Sequence, residues 1–533
     1  MSTVFSFKVS ADTEPVEILQ PFWSHVVGAG RAAEGLRADW QRHLKQASVA
    51  CGFRYVRFHG LFHDDMHVYH EVDGKPVYNF QYIDALFDAM LEMGVRPFVE
   101  FGFSPSQLAT KLATVFWWKG NISPPTNLEK WGDLVRGSVQ HWVARYGAEE
   151  VRTWYFECWN EPNLQAFWAG SRSQYYALYE VTAKVIKALD RNLRVGGPAT
   201  SNYVPDSRFD GELEDFEVQK QLAEVVNIDS LKWEPVWVEH FLQWCHSRDL
   251  PVDFVSTHPY PTDWALDSKG GQSRRVRNIH ATPKDLLQIQ QIVSASPYPS
   301  AEIHLTEWNS SPSSRDHSHD YVPAAIYVAR TMLASLNLVD TLAYWTFTDV
   351  FEEEGAGMEP FHGGFGLINL QGIPKPTFHA FRLLRQLGDE VLKHDPDHGI
   401  VTRNSKTGLL SVIMFHYPPE IDTSPPPAYL DCRVAEDSLA IGRPAKKIVM
   451  IENLRPGTAF SLELLAPNHP GDVISAWRNL GSPSTLNRGV VEQLTNYAST
   501  LNQRFLAVDR EGKIMFEEEL LPWTLIAMKQ VEL

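Results

Sequence analysis

Cysteine is scarce in these 533 residues: Cys51, Cys158, Cys245 and Cys432 are the whole supply, and no two stand in a Cys-x-x-Cys spacing. That excludes a disulfide framework and a cysteine-built zinc site. Positive charge is also short, with 48 Lys and Arg against 65 Asp and Glu, a net charge of −17. A chain this acidic is a poor partner for nucleic acid or an anionic membrane. No apolar run approaches the ~20 residues of a membrane-crossing helix. The opening Met-Ser-Thr-Val-Phe-Ser-Phe-Lys-Val-Ser lacks a basic segment followed by an apolar one. The expectation is a soluble, cytoplasmic protein that is a monomer or small homo-oligomer. A Walker loop, a Gly-x-Ser-x-Gly elbow and a dinucleotide fingerprint are missing too, and no cofactor is expected.

What is present is an ordinary globular composition, 44% apolar and 21% charged, with aromatics at 12% including 17 Trp. From about residue 20 to 390 short apolar runs alternate with longer stretches of helical period. Strands are predicted to end at Phe22-Trp-Ser-His25, Tyr55-Val-Arg-Phe58, Pro97-Phe-Val-Glu100, Tyr155-Phe-Glu157, Val195-Gly196, Phe254-Val-Ser-Thr257, Ile303-His-Leu305 and Ala343-Tyr-Trp345. Helices are predicted around Tyr82–Leu91, Leu128–Tyr146 and Val322–Leu336, with apolar residues at i, i+3, i+4 and i+7. Eight such βα units predict a closed (β/α)8 barrel over 16–388. Beyond it, Leu409–Phe415, Lys447–Ile451, Phe460–Leu464 and Trp523–Met528 read as strands of a β-sandwich over 389–533. The Pro-rich 417–427 stretch reads as an irregular loop. The alternating run Val4–Val9, within an N-terminal segment 1–15, is expected to join that sandwich.

Two strings carry the chemistry. Trp159-Asn160-Glu161-Pro162 follows the fourth predicted strand, and Thr306-Glu307-Trp308-Asn309 follows the seventh. Side chains at the C-terminal ends of barrel strands converge over one mouth. Two carboxyl groups there suit retaining glycoside hydrolysis: one protonates the leaving oxygen while the other attacks the anomeric carbon from the opposite face. Glu161 and Glu307 are the candidate catalytic pair. The spacing His63-x3-His67-x2-His70 could suggest a metal, but these residues sit in a loop rather than on a rigid element, and no metal is expected.

Asn160-Glu161-Pro162 resembles the acid/base signature of the glycosidase clan built on (β/α)8 barrels. Phe58-His-Gly-Leu-Phe-His-Asp-Asp65, His258-Pro-Tyr260, Thr306-Glu-Trp308, Tyr344-Trp-Thr346, Phe361–Asn369 and Lys375–Phe381 are similar to glycoside hydrolase family 39, the β-xylosidase and α-L-iduronidase family. The resemblance implies Glu161 as acid/base and Glu307 as nucleophile, with Asn160 donating to the sugar 2-hydroxyl. It places His258 and Tyr260 on the nucleophile's side, where either could donate to Glu307. It makes Trp345 the pocket floor, has Glu353 grip sugar hydroxyls, and puts His59 and Asp65 on a glycone-side loop, there either to support it or to contact the sugar. A uronate-cleaving member would carry a basic residue where Tyr260 stands, so the xylosidase branch is expected: release of terminal β-D-xylose from xylobiose and short xylo-oligosaccharides. The alternatives are an α-L-iduronidase, a β-glucosidase, an endo-acting hydrolase, or an inactive carbohydrate-binding protein on the same fold.

Overall fold

The computed structural model describes residues 4–201, 203–204, 233–263, 275–429 and 431–531. Eight parallel strands close into a barrel: β1 (Val26–Arg31), β2 (Tyr55–His59), β3 (Arg96–Phe101), β4 (Tyr155–Cys158), β5 (Arg194–Ser201), β6 (Phe254–His258), β7 (Glu302–Trp308) and β8 (Thr341–Tyr344), with β8 paired back onto β1. A helix follows each strand in turn: α1 (Ala38–Cys51), α2 (Gln81–Glu92), α3 (Leu128–Tyr146), α4 (Arg172–Leu189), α5 (Val238–Ser247), α6 (Ala281–Ala295), α7 (Val322–Ala334) and α8 (Pro376–Leu384). The helix ends are encoded locally. Asn127 caps α3 by accepting from Lys130 N, Ser171 and Gln174 form a capping box on α4, and α7 and α8 each open with proline in the first turn.

The strand period of two stacks the barrel interior in layers. Val26, Tyr55, Phe98, Tyr155, Phe254 and Ala343 form an apolar floor near the N-terminal ends of the strands. Two residues further along their strands, Tyr55, Phe98 and Tyr155 give way to Arg57, Glu100 and Glu157, all buried. The interior thus turns from aromatic to charged on rising toward the C-terminal mouth.

Although β5 continues past its expected end at Gly196 to Ser201, seven of the eight strands overlap the apolar runs that predicted them. The first does not: Phe22–Ser24 is a 3-10 turn, and β1 is the glycine-rich Val26-Val-Gly-Ala-Gly-Arg31. Packing overrides local preference here, because a Cβ on Gly28 would lie 2.2 Å from Cε3 of Trp345. Only glycine lets that ring fill the mouth.

Beyond α8 come β9 (Glu390–Asp395), β10 (Gly399–Arg403), β11 (Leu410–His416), β12 (Ala445–Glu452), β13 (Ala459–Leu465), β14 (Asn502–Ala507), β15 (Ile514–Leu520) and β16 (Thr524–Val531). One sheet runs Glu17–Ile18, β9, β10, β11, β16, β13, β14; the other is β12 flanked by β15 and by the N-terminal strand Val4–Ser10, parallel to it. Phe7, Val412, Met414, Val449, Phe460, Phe516 and Ile526 fill the space between the two sheets. Three helices that the sequence pattern did not suggest, α9 (Arg433–Leu439), α10 (Val473–Asn479) and α11 (Arg488–Ser499), sit among these strands.

Candidate active site

Arg57, fully buried on β2, organises the mouth. Its Nε donates to Glu157 Oε2 at 2.5 Å, Nη1 to Glu307 Oε1 at 2.6 Å and Nη2 to Asn160 Oδ1 at 2.9 Å, with Glu100 Oε2 3.1 Å from Nη2. A guanidinium only donates, so it fixes the Asn160 amide with its oxygen toward Arg57 and its NH2 turned away.

Glu161 stands on the turn after β4. Trp159 and Glu161 both adopt positive φ, +71° and +45°, a conformation costly for non-glycine residues that persists only when its surroundings enforce it. Here Trp159 N donates to Phe101 O, Trp159 Nε1 to Phe167 O, and Glu161 N to Ala199 O. Asn163 exchanges two hydrogen bonds with the Ser201 backbone. The turn is thereby locked onto β3 and β5.

Glu307 reaches the same place by a different device. In a regular strand adjacent side chains point to opposite faces, yet Thr306 and Glu307 both contact interior groups. The pairing of β7 with β8 slips between Leu305 and Trp308, and this bulge lets both face inward. A carboxylate oxygen of Glu161, one of Glu307 and a ring nitrogen of His258 all lie within 4.8 Å of one another.

Tyr260 donates to Glu307 Oε2 at 3.2 Å, on the side the sequence suggested. His258 does not. Its Nδ1 lies 2.9 Å from Glu161 Oε1 and 3.9 Å from the nearest Glu307 oxygen, because Thr306 Oγ1 holds Nε2 at 2.9 Å and aims the ring at Glu161. The expectation that His258 donates to Glu307 is corrected accordingly.

The acidic run after β8 divides three ways. Glu352 pairs with Arg31 and Arg37, Glu354 accepts from Ser314, and Glu353 turns inward to within 3.8 Å of His59 Nε2. His59, two residues beyond Arg57, bonds Glu100 at 2.6 Å and packs beside Trp345 with ring centroids 5.0 Å apart. Asp65 is not brought to this cluster. It pairs with Arg31 and His63 on a turn outside the mouth, because the loops after β1, β2 and β8 are tied together through Arg31. Of the two roles open to it on this loop, sugar contact and loop support, its partners are those of support.

Burial pushes both central carboxyls above the usual range. Glu161 rises well above it because the charge of Glu307 adds to its burial. At Glu307, Arg57 and His59 oppose the rise. Glu353 also rises well above the usual range through burial and the charges of Glu307 and Glu34. Glu161 is therefore the member of the pair that holds its proton more tightly, and Glu307 the one that ionises first.

Sequence reasoning overlooked Arg57, Glu100, Glu157 and Thr306. The signal was present: a lone arginine inside the apolar run Tyr55-Val-Arg57-Phe58, and glutamates closing the third and fourth strands. Charge in the middle of an apolar strand demands a partner.

Comparison with known proteins adds an independent line. The sequence profile of glycosyl hydrolases family 39 matches residues 7–514. A β-xylosidase of Geobacillus stearothermophilus is 38% identical over 481 residues, 89% of this chain and 85% of its own. A β-xylosidase of Caldicellulosiruptor saccharolyticus is 35% identical over 524 residues, 96% of this chain and 95% of its own. Among solved structures, a monomeric β-xylosidase of Caulobacter crescentus superposes with a TM-score of 0.83 at 31% identity, covering 100% of both chains.

Proposed function

This chain belongs to glycosyl hydrolases family 39 and is a glycoside hydrolase, and from that premise we propose that it releases terminal β-D-xylose from xylo-oligosaccharides with net retention. Glu161 is the acid/base and Glu307 the nucleophile. The observation that carries this reading is the carboxyl pair, with oxygens within 4.8 Å in unlike surroundings. That spacing suits direct attack by a carboxylate; an inverting enzyme needs ~6.5–9.5 Å to seat a water. In the first step Glu161 gives its proton to the glycosidic oxygen as Glu307 attacks the anomeric carbon. The C–O bond to the leaving group breaks and an ester to Glu307 forms. In the second step Glu161 takes a proton from water, which attacks the same carbon and frees Glu307.

Asn160, its oxygen held by Arg57, is left to donate its NH2 to the sugar 2-hydroxyl. Glu353 and His59 accept and donate to the remaining hydroxyls, and Trp345 floors the pocket. The xylose preference draws on the β-xylosidase relatives and on the local charge. Tyr260 stands where a uronate-binding cation would be needed, and Arg57 is already engaged by carboxyls. We read the active form as a monomer. Its four unpaired cysteines suit a reducing, cytoplasmic setting, and no described helix is long and apolar enough to cross a membrane.

A 2-deoxy-2-fluoro aryl β-xyloside should inactivate the enzyme with time and leave its label on the peptide bearing Glu307. A label on any other residue refutes the assignment, and hydrolysis of an aryl α-L-iduronide in preference to the β-xyloside refutes the substrate.

A further inference from the structure

Four buried hydrogen bonds in series, beginning at Arg57, decide where a proton sits. Arg57 Nε grips Glu157 Oε2 at 2.5 Å, so Glu157 is an acceptor. Its other oxygen, Oε1, takes the one hydroxyl hydrogen of Thr306 at 2.8 Å. With its hydrogen engaged there, Thr306 Oγ1 can only accept from His258 Nε2, 2.9 Å away. Nε2 must therefore carry a hydrogen. His258 is fully buried, and burial together with Arg57 and His59 holds its pKa well below the usual value, so the ring is neutral. A neutral ring protonated at Nε2 has a bare Nδ1. That atom faces Glu161 Oε1 at 2.9 Å, a contact that is a hydrogen bond only if Glu161 supplies the hydrogen.

We infer that Thr306 is a positioning residue: by holding His258 in its Nε2–H form it makes Nδ1 an acceptor that keeps Glu161 protonated before each glycosidic cleavage. The inference rests on the reading of Glu161 as acid/base. No proton passes into His258; the hydrogen on Glu161 goes to the leaving oxygen. The carboxylate left behind then faces a lone pair on Nδ1, which makes it a stronger base toward the water of the second step. Among the described residues the other groups facing Glu161 are Arg57 from β2, Glu100 from β3, Ser201 from β5, Tyr260 after β6, Glu307 from β7 and Glu353 after β8. Of these, Ser201 as a hydrogen-bond donor and Arg57 as a cation lower its proton affinity, and Arg57 is engaged with Glu100, Glu157 and Glu307.

The test is the pH profile of kcat/KM on an aryl β-xyloside. Thr306→Val keeps the shape and removes the hydroxyl, so His258 can present Nδ1–H to a carboxylate form of Glu161. The basic limb should move about one pH unit or more toward acid, with Thr306→Ser restoring it. Glu161→Gln, run in parallel, separates the two readings. If its profile keeps the basic limb, the acid/base assignment falls and the relay with it. If Glu161→Gln abolishes the limb while Thr306→Val leaves it in place, the relay alone is overturned. Neutron diffraction from the wild-type chain near pH 6 does not depend on either variant folding. Deuterium on His258 Nε2 and on Glu161 supports the inference, and deuterium on Nδ1 overturns it.

Discussion

Among the described residues one guanidinium, that of Arg57, serves a mouth that also holds Glu100, Glu157, Glu161, Glu307 and Glu353, all buried or half-buried, so charge there is costly wherever it is not paired. Glu307 pairs with the arginine, which opposes the rise that burial imposes on it, whereas Glu161 and Glu353 form no ion pair with it and are pushed well above the usual carboxyl range by burial and by neighbouring carboxylates. Glu161→Ala should consequently depress cleavage of xylobiose by about 10²–10⁴-fold. Activated aryl xylosides, whose leaving groups need little protonation, should lose far less in the glycosylation step. Steady-state kcat/KM on the two substrates measures this, and equal losses would remove the acid role. At this scale the sequence was informative where a residue carried a local flag, as Glu161 and Glu307 do beside Asn160 and Trp308. It misled at His258, whose partner is chosen by Thr306 on another strand, a contact that no spacing along the chain expresses. Arg57 escaped notice because strand period alone does not say which face is the barrel's interior.

Among the elements, two irregular strands do what regular ones could not. The bulge in β7 turns Thr306 and Glu307 to the same side. Gly28 of β1 leaves room for Trp345, whose ring atoms would lie 2.2 and 2.9 Å from a Cβ there, while Gly30 leaves room for the Glu34 carboxyl. Gly28→Ala should therefore push the Trp345 ring out of place. The expected result is a loss of ~1–3 kcal/mol in stability with a fall in kcat/KM larger than that of a distant variant of equal stability. Denaturant melts and kinetics on one sample check both, and an unchanged variant would mean that the ring is not confined. The same glycines explain why the first strand was expected at Phe22–His25. Val-Val-Gly-Ala-Gly looks like a turn by composition, and only the adjoining strand β8, far away in sequence, makes it a strand. The other seven strands were legible because their apolar runs answer to burial alone.

For the molecule as a whole, the question is whether the barrel stands without the strands that follow it. A single apolar core runs from barrel helices α7 and α8, through Tyr327 and Phe381, into Phe415, Tyr417, Trp523 and Leu525 beyond residue 389. Trp523 is fully buried at this seam. Its ring meets Tyr417 at 4.7 Å between centroids and its Nε1 donates to Ser438 O. A second seam joins Tyr321, Phe361 and Ile373, from the segments after β7 and β8, to Val473, Ile474, Leu494 and Ala498 of the C-terminal helices. The segment bearing Glu353 is thus braced from the C-terminal side, so losing that side strips apolar cover from the barrel and support from the site together. None of this was visible in the chain, since a helix's outward apolar residues look alike whether they meet another helix or a sheet. A fragment spanning 16–388 should accordingly be insoluble or inactive, while the intact chain unfolds in one calorimetric transition despite its two architectures. Trp523→Ala should cost ~3–5 kcal/mol and lower that transition without splitting it. Two resolved transitions, or a soluble fragment that still cleaves aryl xylosides, would show that the barrel needs no second layer to hold its mouth in shape.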